Sequence, residues 1–411
     1  MGGYYLQKNV AIRPLPYYNV AAMVMTLTVM SRRPALWGIF LLITLFLKPD
    51  AARASEAFPV ISYIDHLEGS IFNNVVENIS SEKVPPYVIE KVDLYVRFFT
   101  TSGRSLFQRW LDQSMPYIPL IKEILRAEGI PEDIAFLPLI ESGFNLNAKS
   151  PAKATGLWQF MAATGAIYGL KMNNWVDERK DPVKATKAAA RHLKDLYETF
   201  GSWPLALASY NAGSGKIKRA LDRTGSSTFW EIGQGRVLKK ETRDYIPKFM
   251  AAMIIAKNPE AFGFTLSEEA AFKYDLLHVP GGMDIHMVAK NSNVDYDLLR
   301  SLNPELKSHI TPLDEPYYIL RLPEGTGEIF IENFENLLPS ERVVYREYKV
   351  KIGDSVYKIA RRYDTTVSAI KEANKLNNRL KIVAGKTILV PIRLPYSEDA
   401  VKIIQFNPST V

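Results

Sequence analysis

The sequence predicts an α+β multidomain protein: a mostly α-helical domain followed by small β-α-α-β modules. Three observations carry this. Apolar residues recur every three or four positions from Leu106 to about Ala256. A strand–helix–helix–strand pattern fills 345–392, and a weaker copy of it lies 71 positions earlier. A chain of 411 residues also exceeds what one ordinary core organises, so two or three domains are expected.

Taken in order, residues 1–54 read as an N-terminal extension and signal peptide. Arg32 and Arg33 precede an apolar run from Ala35 to Leu47, and Ala52-Arg53-Ala54 offers a small-residue exit. The run is short for a membrane span; an uncleaved anchor is the alternative. Residues before Met30 do not suit a signal peptide, which makes Met30 a candidate start beside Met1. Cleavage near Ala54 removes six cations and one acid and lowers the formal charge from +7 to +2. A nearly neutral exported chain gives no electrostatic case for nucleic acid. The expected location is the periplasm or cell envelope, with at most peripheral membrane association. The absence of cysteine excludes disulfides, thiolate metal sites and lipidation on cysteine. The five histidines show no metal-binding spacing, and neither a metal nor a cofactor is expected. Oligomeric state is left open.

Residues 55–109 read as a helical N-terminal region and 110–271 as the main helical domain. Trp110, Leu111, Ile118, Ile121, Ile124 and Leu125 form a helical stripe, ended by Gly129. Pro131 with Glu132 and Asp133 starts a new helix, expected to run through Ile134, Leu137 and Ile140 to Glu141. A carboxyl following such an apolar run is desolvated, which raises its pKa toward the range a general acid needs. Alone, Glu141-Ser142 could equally be a solvated helix end. The company it keeps argues otherwise: Ser150, then Gly156-Leu157-Trp158-Gln159-Phe160, then Ser209-Tyr210-Asn211-Ala212-Gly213. Gln159 offers a donor and an acceptor suited to an N-acetyl group or hydroxyl. Trp158, flanked by Leu157 and Phe160, reads as core rather than as a sugar platform. Asp181-Pro182 reads as cap and first turn of a helix stopped by Gly201, and Gly213 ends the next one.

These motifs, in this order, resemble the lysozyme-like domain of lytic transglycosylases over about Trp110 to Ala256. The match is closest to the D subfamily of membrane-bound lytic murein transglycosylases, through 136–144, 176–182 and Glu241-Thr242-Arg243-Asp244-Tyr245-Ile246-Pro247-Lys248. The resemblance implies Glu141 as acid and base, with Ser150, Gln159, Tyr210, Asn211, Glu241 and Tyr245 lining a glycan cleft. The implied substrate is peptidoglycan, and the implied product a 1,6-anhydro-N-acetylmuramic acid end. No acidic residue lies between Glu141 and Asp177, so the two-carboxylate route of ordinary glycosidases finds no obvious second group. A hydrolytic muramidase on the same fold and a non-catalytic wall-binding protein remain the alternatives. That subfamily is usually lipid-anchored, which the lack of cysteine puts in doubt.

The C-terminal pattern resembles the LysM module, a binder of such glycans. Tyr348-Lys349-Val350 starts a strand, Gly353-Asp354-Ser355 makes a turn and cap, Ile359, Ala360 and Ile370 face inward, and Ile388-Leu389-Val390 returns. Gly353, Ile359, Ala360, Ile370 and Asn374 have counterparts in Gly282, Val288, Ala289, Leu299 and Asn303. Residues 272–325 therefore read as a degenerate LysM-like module, 326–344 as a linker, 345–392 as LysM and 393–411 as a tail.

Overall fold

The computed structural model describes residues 83–266, 273–338, 340–394 and 401–404. The expected signal peptide and most of the expected N-terminal helical region lie outside the described residues. The chain is an α+β multidomain protein, helical first and built on small antiparallel sheets after residue 273.

The helical domain begins earlier than the sequence reading placed it. Helix α1 (Pro86–Thr100) buries Val88, Val92, Val96 and Phe99. Helix α2 (Arg104–Ser114) answers with Phe107, Trp110 and Leu111. Phe99, Phe107, Trp110 and Phe264 form one aromatic cluster with ring centroids 4.6–5.9 Å apart. A boundary at residue 110 would divide this core. Pro116, which cannot donate a helical hydrogen bond, separates α2 from α3 (Ile118–Ala127), and Pro119 sits in the first turn of α3, where no such donor is needed.

Residues 132–141 do not form the single helix expected. Glu132–Phe136 is a 3₁₀ turn and Leu137–Glu141 a short helix, α4. Pro138 has no N–H to return to Ile134, so the ladder restarts there. Four following helices complete this side of the domain: α5 (Ala162–Ile167), α6 (Pro182–Phe200), α7 (Trp203–Ala212) and α8 (Ser214–Thr224). Asp181 caps α6 through bonds from the Val183 and Lys184 amides, and left-handed Gly201 ends it. Helices α9 (Phe229–Gln234) and α10 (Lys240–Lys257) follow. Helix α10 is largely buried and packs on α1 and α4, with Lys91 pairing to Asp244 at 2.8 Å.

The first small module pairs β1 (Tyr274–Pro280) antiparallel with β2 (Tyr317–Pro323), enclosing α11 (Ile285–Asn291) and α12 (Tyr296–Leu302). The stretch expected as a linker instead carries α13 (Thr326–Asn336), whose Phe330 and Phe334 are buried in this module's core. A Phe every four residues is a helical stripe, and the linker assignment overlooked it. The second module pairs β3 (Val343–Lys349) with β4 (Thr387–Arg393) around α14 (Val356–Arg362) and α15 (Val367–Ala373). The expected tail also departs from its reading. Residues Lys402–Ile404 form β5, which adds to the free edge of β1. The chain thus leaves the first module, builds the second, and comes back.

Candidate active site

Glu141 is the last residue of α4. Ile134, Ala135, Leu137 and Leu139 behind it are fully buried, so the short helix serves as an apolar base with one carboxyl at its rim. Three contacts hold the rim. The Tyr245 hydroxyl donates to Glu141 Oε1. Ser142 Oγ donates to the Leu157 carbonyl at 2.8 Å, and Tyr210 Oη donates to the Trp158 carbonyl at 2.7 Å. Helices α4, α7 and α10 and the loop 148–160 are therefore joined around one carboxyl group.

The electrostatics follow from this placement. Desolvation pushes the Glu141 carboxyl up to about 7; the Tyr245 bond and the Lys248 charge pull the other way, and the Glu241 charge adds to the rise. Burial, reinforced by the Glu141 charge, holds the phenols of Tyr210 and Tyr245 well above their ordinary value. Both remain neutral donors at any working pH. Because Tyr245 occupies Oε1, the acid proton is left to Oε2.

Positions 241, 245 and 248 fall on one face of α10, at helical spacings of four and three. Tyr245 fixes that face toward Glu141. Lys248 was not singled out in the sequence, although it stands three residues after Tyr245 on the same stripe. It is half-buried, and its pKa is lowered by desolvation against the opposing pull of Glu141 and Glu241. It makes no hydrogen bond or ion pair among the described residues. Glu241 is exposed at the rim.

The loop 148–160 is held under constraint. Gly156 sits at φ +83°, and a Cβ there would lie 1.8 Å from the Arg179 carbonyl oxygen; only glycine fits. Gln159 takes φ +49°, an uncommon conformation for a residue with a side chain. Its Nε2 donates to the Gly156 carbonyl at 2.9 Å, leaving Oε1 without a partner among the described residues. Ser150 is buried, and its Oγ accepts from the Ala154 amide at 3.0 Å. Its visible contact is therefore to the turn that shapes the loop. Trp158 is fully buried, its Nε1 donating to Thr186 at 2.9 Å, as the core reading expected. Asn211 Oδ1 accepts from Thr242 at 3.3 Å, which ties the end of α7 to the start of α10.

Beneath Tyr210 lies His192, ring centroids 5.1 Å apart, with Tyr168 on its other side at 4.8 Å. Burial lowers the His192 pKa to about 4, so this support is neutral. Asp177 and Glu178 are both committed elsewhere: Asp177 to Arg179 at 2.8 Å and Glu178 to Lys184 at 2.7 Å. Among the described residues, no three His, Cys, Asp or Glu side chains cluster to hold a metal ion. Nor is any described helix long and apolar enough to cross a membrane.

Comparison with known proteins gives consistent matches. Residues 119–232 match the transglycosylase SLT domain, 273–337 the LysM-like domain of lytic transglycosylase MltD, and 348–391 the LysM domain. The chain is 28% identical over 290 residues to membrane-bound lytic murein transglycosylase D of Escherichia coli, covering 67% of this chain and 63% of that protein. It is 26% identical over 149 residues to the soluble lytic murein transglycosylase of Escherichia coli, covering 34% of this chain and 23% of that one. It is 30% identical over 156 residues to a peptidoglycan transglycosylase of Escherichia phage T7, covering 36% and 11%. The chain thus spans less than two thirds of the length of each of these relatives.

Proposed function

From a chain that carries an SLT transglycosylase domain and two LysM-type modules, we propose a peptidoglycan lytic transglycosylase. It cleaves the β-1,4 bond between N-acetylmuramic acid and N-acetylglucosamine and leaves 1,6-anhydro-N-acetylmuramic acid ends. The observation that carries this reading is a single carboxyl, Glu141, pushed to about 7 on an apolar base and hydrogen-bonded by a neutral tyrosine.

Its raised pKa lets Glu141 hold a proton near neutral pH. It donates from Oε2 to the glycosidic oxygen. The positive charge that develops on the sugar is met by the substrate's own N-acetyl group, a substrate-assisted variant of glycoside cleavage. The Tyr245 hydroxyl and the Lys248 charge both favour the carboxylate left behind. That carboxylate then takes the proton of the C6 hydroxyl, which closes the anhydro ring. Gln159, Asn211 and Tyr210 position the sugars, Glu241 lines the rim, and Ser150 holds the loop that presents Gln159. The second module tethers the enzyme to insoluble glycan and raises its local concentration. Export through the N-terminal segment places this activity at the cell envelope; N-terminal sequencing of envelope protein should find a chain starting near Ser55.

Glu141→Gln keeps the shape and removes the proton. Release of anhydro-muropeptides from purified sacculi should fall by roughly 10²–10⁴-fold, read by mass spectrometry. Near-normal release would mean the acid lies elsewhere. One observation favours a second reading, hydrolysis: Glu241 is a carboxylate whose charge reaches Glu141. Hydrolysis would leave reducing ends instead of anhydro ends, and Glu241→Gln would abolish them.

A further inference from the structure

Residues 176–182 do no chemistry at Glu141, yet they are tied on one side to the first small module and on the other to the loop that presents Gln159. On the module side, the Asp177 amide donates to the Glu305 carbonyl and the Lys307 amide to the Trp175 carbonyl, both at 2.8 Å. Val176, opposite Leu306, lies in the module's core. Four residues after Asp177, Asp181 takes the Arg321 guanidinium. The segment is thus fixed to the module at both ends, with the 3₁₀ turn Glu178–Lys180 between them.

Arg179, in that turn, faces the other way. It is only 9% exposed, and its guanidinium makes four hydrogen bonds. Nε and Nη2 each donate to the Asp177 carboxylate at 2.8 Å. Nη1 donates to the Lys153 and Phe160 carbonyls, both at 3.1 Å. Those carbonyls stand on either side of Gly156 and Gln159. The Arg179 backbone carbonyl closes on Gly156, where even a methyl group finds no room. An ion pair with Asp177 alone needs two of these bonds; the other two hold the loop. The loop in turn accepts from Ser142 at Leu157 and from Tyr210 at Trp158, the bonds that frame Glu141. An arginine fork spans all four acceptors, which the point charge of a lysine cannot.

We infer that Arg179 is a positioning residue for glycan cleavage, and that the first module acts on the cleft through it, as a working part of the enzyme rather than as a glycan tether. The inference rests on the transglycosylase reading and adds what keeps the cleft loop in register. Asp177 is the joint: its amide is bonded to the module and its carboxylate to Arg179. A shift of the module at Glu305 or Arg321 is passed to the loop through one guanidinium. Misplacing a positioning group by about 1 Å can cost about 10²-fold in rate.

A double-mutant cycle on the full chain measures the coupling. Arg179→Lys and Arg321→Lys keep both charges and lose the fork. The two are also combined, and Arg97→Lys, in an exposed ion pair of α1, is the control. Circular dichroism and urea midpoints check that each is folded at the assay temperature. Should Arg179→Lys fail to fold, Asp177→Asn, which keeps the shape and slackens the fork, takes its place in the cycle. On short soluble glycan strands Arg179→Lys should lower kcat roughly 10–10²-fold, with KM changing less. Arg321→Lys should lower kcat severalfold, and the double variant should be no slower than Arg179→Lys. Arg97→Lys should match the unaltered chain. A loosened loop also admits water to Glu141, which lowers a pKa raised by desolvation. The alkaline limb of kcat, set by Glu141 at about 7, should therefore move to lower pH in Arg179→Lys and in Arg321→Lys. Unchanged kcat in Arg179→Lys, or a lower kcat with an unmoved alkaline limb, overturns the positioning role. Losses that multiply in the double variant, or an unchanged kcat in Arg321→Lys, overturn the module's part in it. If the unaltered chain leaves reducing ends, the transglycosylase reading falls while the kcat cycle still decides this inference. If it cuts no strand, both fall.

Discussion

Asn303 and Asn374 occupy the same place in the two small modules and make the same three bonds. Asn303 Nδ2 donates to the Leu299 and Arg321 carbonyls, both at 2.8 Å, and Oδ1 accepts from the Arg321 amide at 2.9 Å. Asn374 does so with Ile370 at 2.8 Å and with Leu389 at 2.7 and 2.8 Å. Gly282 and Gly353 turn their strands at φ +84° and +85°. The skeleton is one; what lies over it differs. Arg321 stands where the second module has Leu389. Its guanidinium is buried and reaches the helical domain, bonding Asp181 and, at 3.1 Å, Glu305. Val176 of the helical domain enters the first module's core, and the Asp177 amide donates to the Glu305 carbonyl at 2.8 Å. A Cβ on Gly281 would meet the Glu315 carbonyl oxygen at 2.0 Å; its counterpart in the second module is Ile352, 96% exposed. One copy is a bracket closed over by its neighbours. The other keeps its turn open.

The sharpest way to break this comparison is at Arg321. Arg321→Ala leaves Asp181 and Glu305 buried without their cation, which costs about 3–5 kcal/mol. Leu389→Ala removes a half-buried apolar side chain and should cost about 1–2 kcal/mol. Urea midpoints of the full chain measure both. Equal losses would mean that the first module is not held by its charges.

The two asparagines come next. Both alanine variants lose three bonds, but Asn303 is 1% exposed and Asn374 half-buried. Unsatisfied groups are expensive where water cannot reach them. Asn303→Ala should cost about 2–3 kcal/mol and Asn374→Ala about 1 kcal/mol. A reversed order would show that the second module is as closed as the first.

A pH series separates the two acids around Arg321 by sign. Burial raises the Glu305 carboxyl above its ordinary value, whereas the Arg321 and Lys184 charges outweigh burial and hold Asp181 below its own. Asp181 therefore stabilises above its unfolded pKa, and that contribution is lost as pH falls through its lower folded value. Glu305 behaves oppositely. Its protonated form is favoured by folding, and stability declines as pH rises from its unfolded value through its raised one. Glu305→Gln should flatten this decline on the neutral side and leave the acid limb in place. Denaturation midpoints across about pH 2–8 test it. A decline that persists in Glu305→Gln would place its source elsewhere.

Some of this was legible in residues alone. Glu141, Gln159, Tyr210 and Tyr245 announce themselves through motifs of fixed wording, and the structure gathers Glu141 and the two tyrosines around one carboxyl. The repeated Gly, Ala and Asn positions gave away both modules, because backbone hydrogen bonds and turns demand those residues locally. What stayed hidden depends on long-range contact. Arg321 reads as one more strand cation until Asp181, 140 positions earlier, is seen beside it. Residues 326–344 read as a linker because a helix that packs on a neighbouring sheet needs only two phenylalanines to do so. Lys248 escaped notice because a single lysine is ordinary; its meaning comes from sharing a face with Tyr245. Lys402–Ile404 is too short to signal a strand without the β1 edge it joins.

The smallest expected effect on stability tests the open side of the comparison. Ile352 is 96% and Tyr357 67% exposed, flanking the turn at Gly353, where an added Cβ would meet nothing within 4 Å. Exposed side chains outside any cap or core change stability little on substitution, within about ±0.5 kcal/mol. An apolar side chain left almost wholly in water gains little from folding, so a role for this turn would show in glycan binding and not in stability. Ile352→Ser should therefore leave the urea midpoint unchanged and reduce the fraction of the full chain that pellets with purified sacculi. Cleavage of short soluble glycan strands should not change, since the cleft at Glu141 is untouched. Unaltered pelleting would leave the second module, like the first, as a bracket, and the tether would have to be sought on another surface.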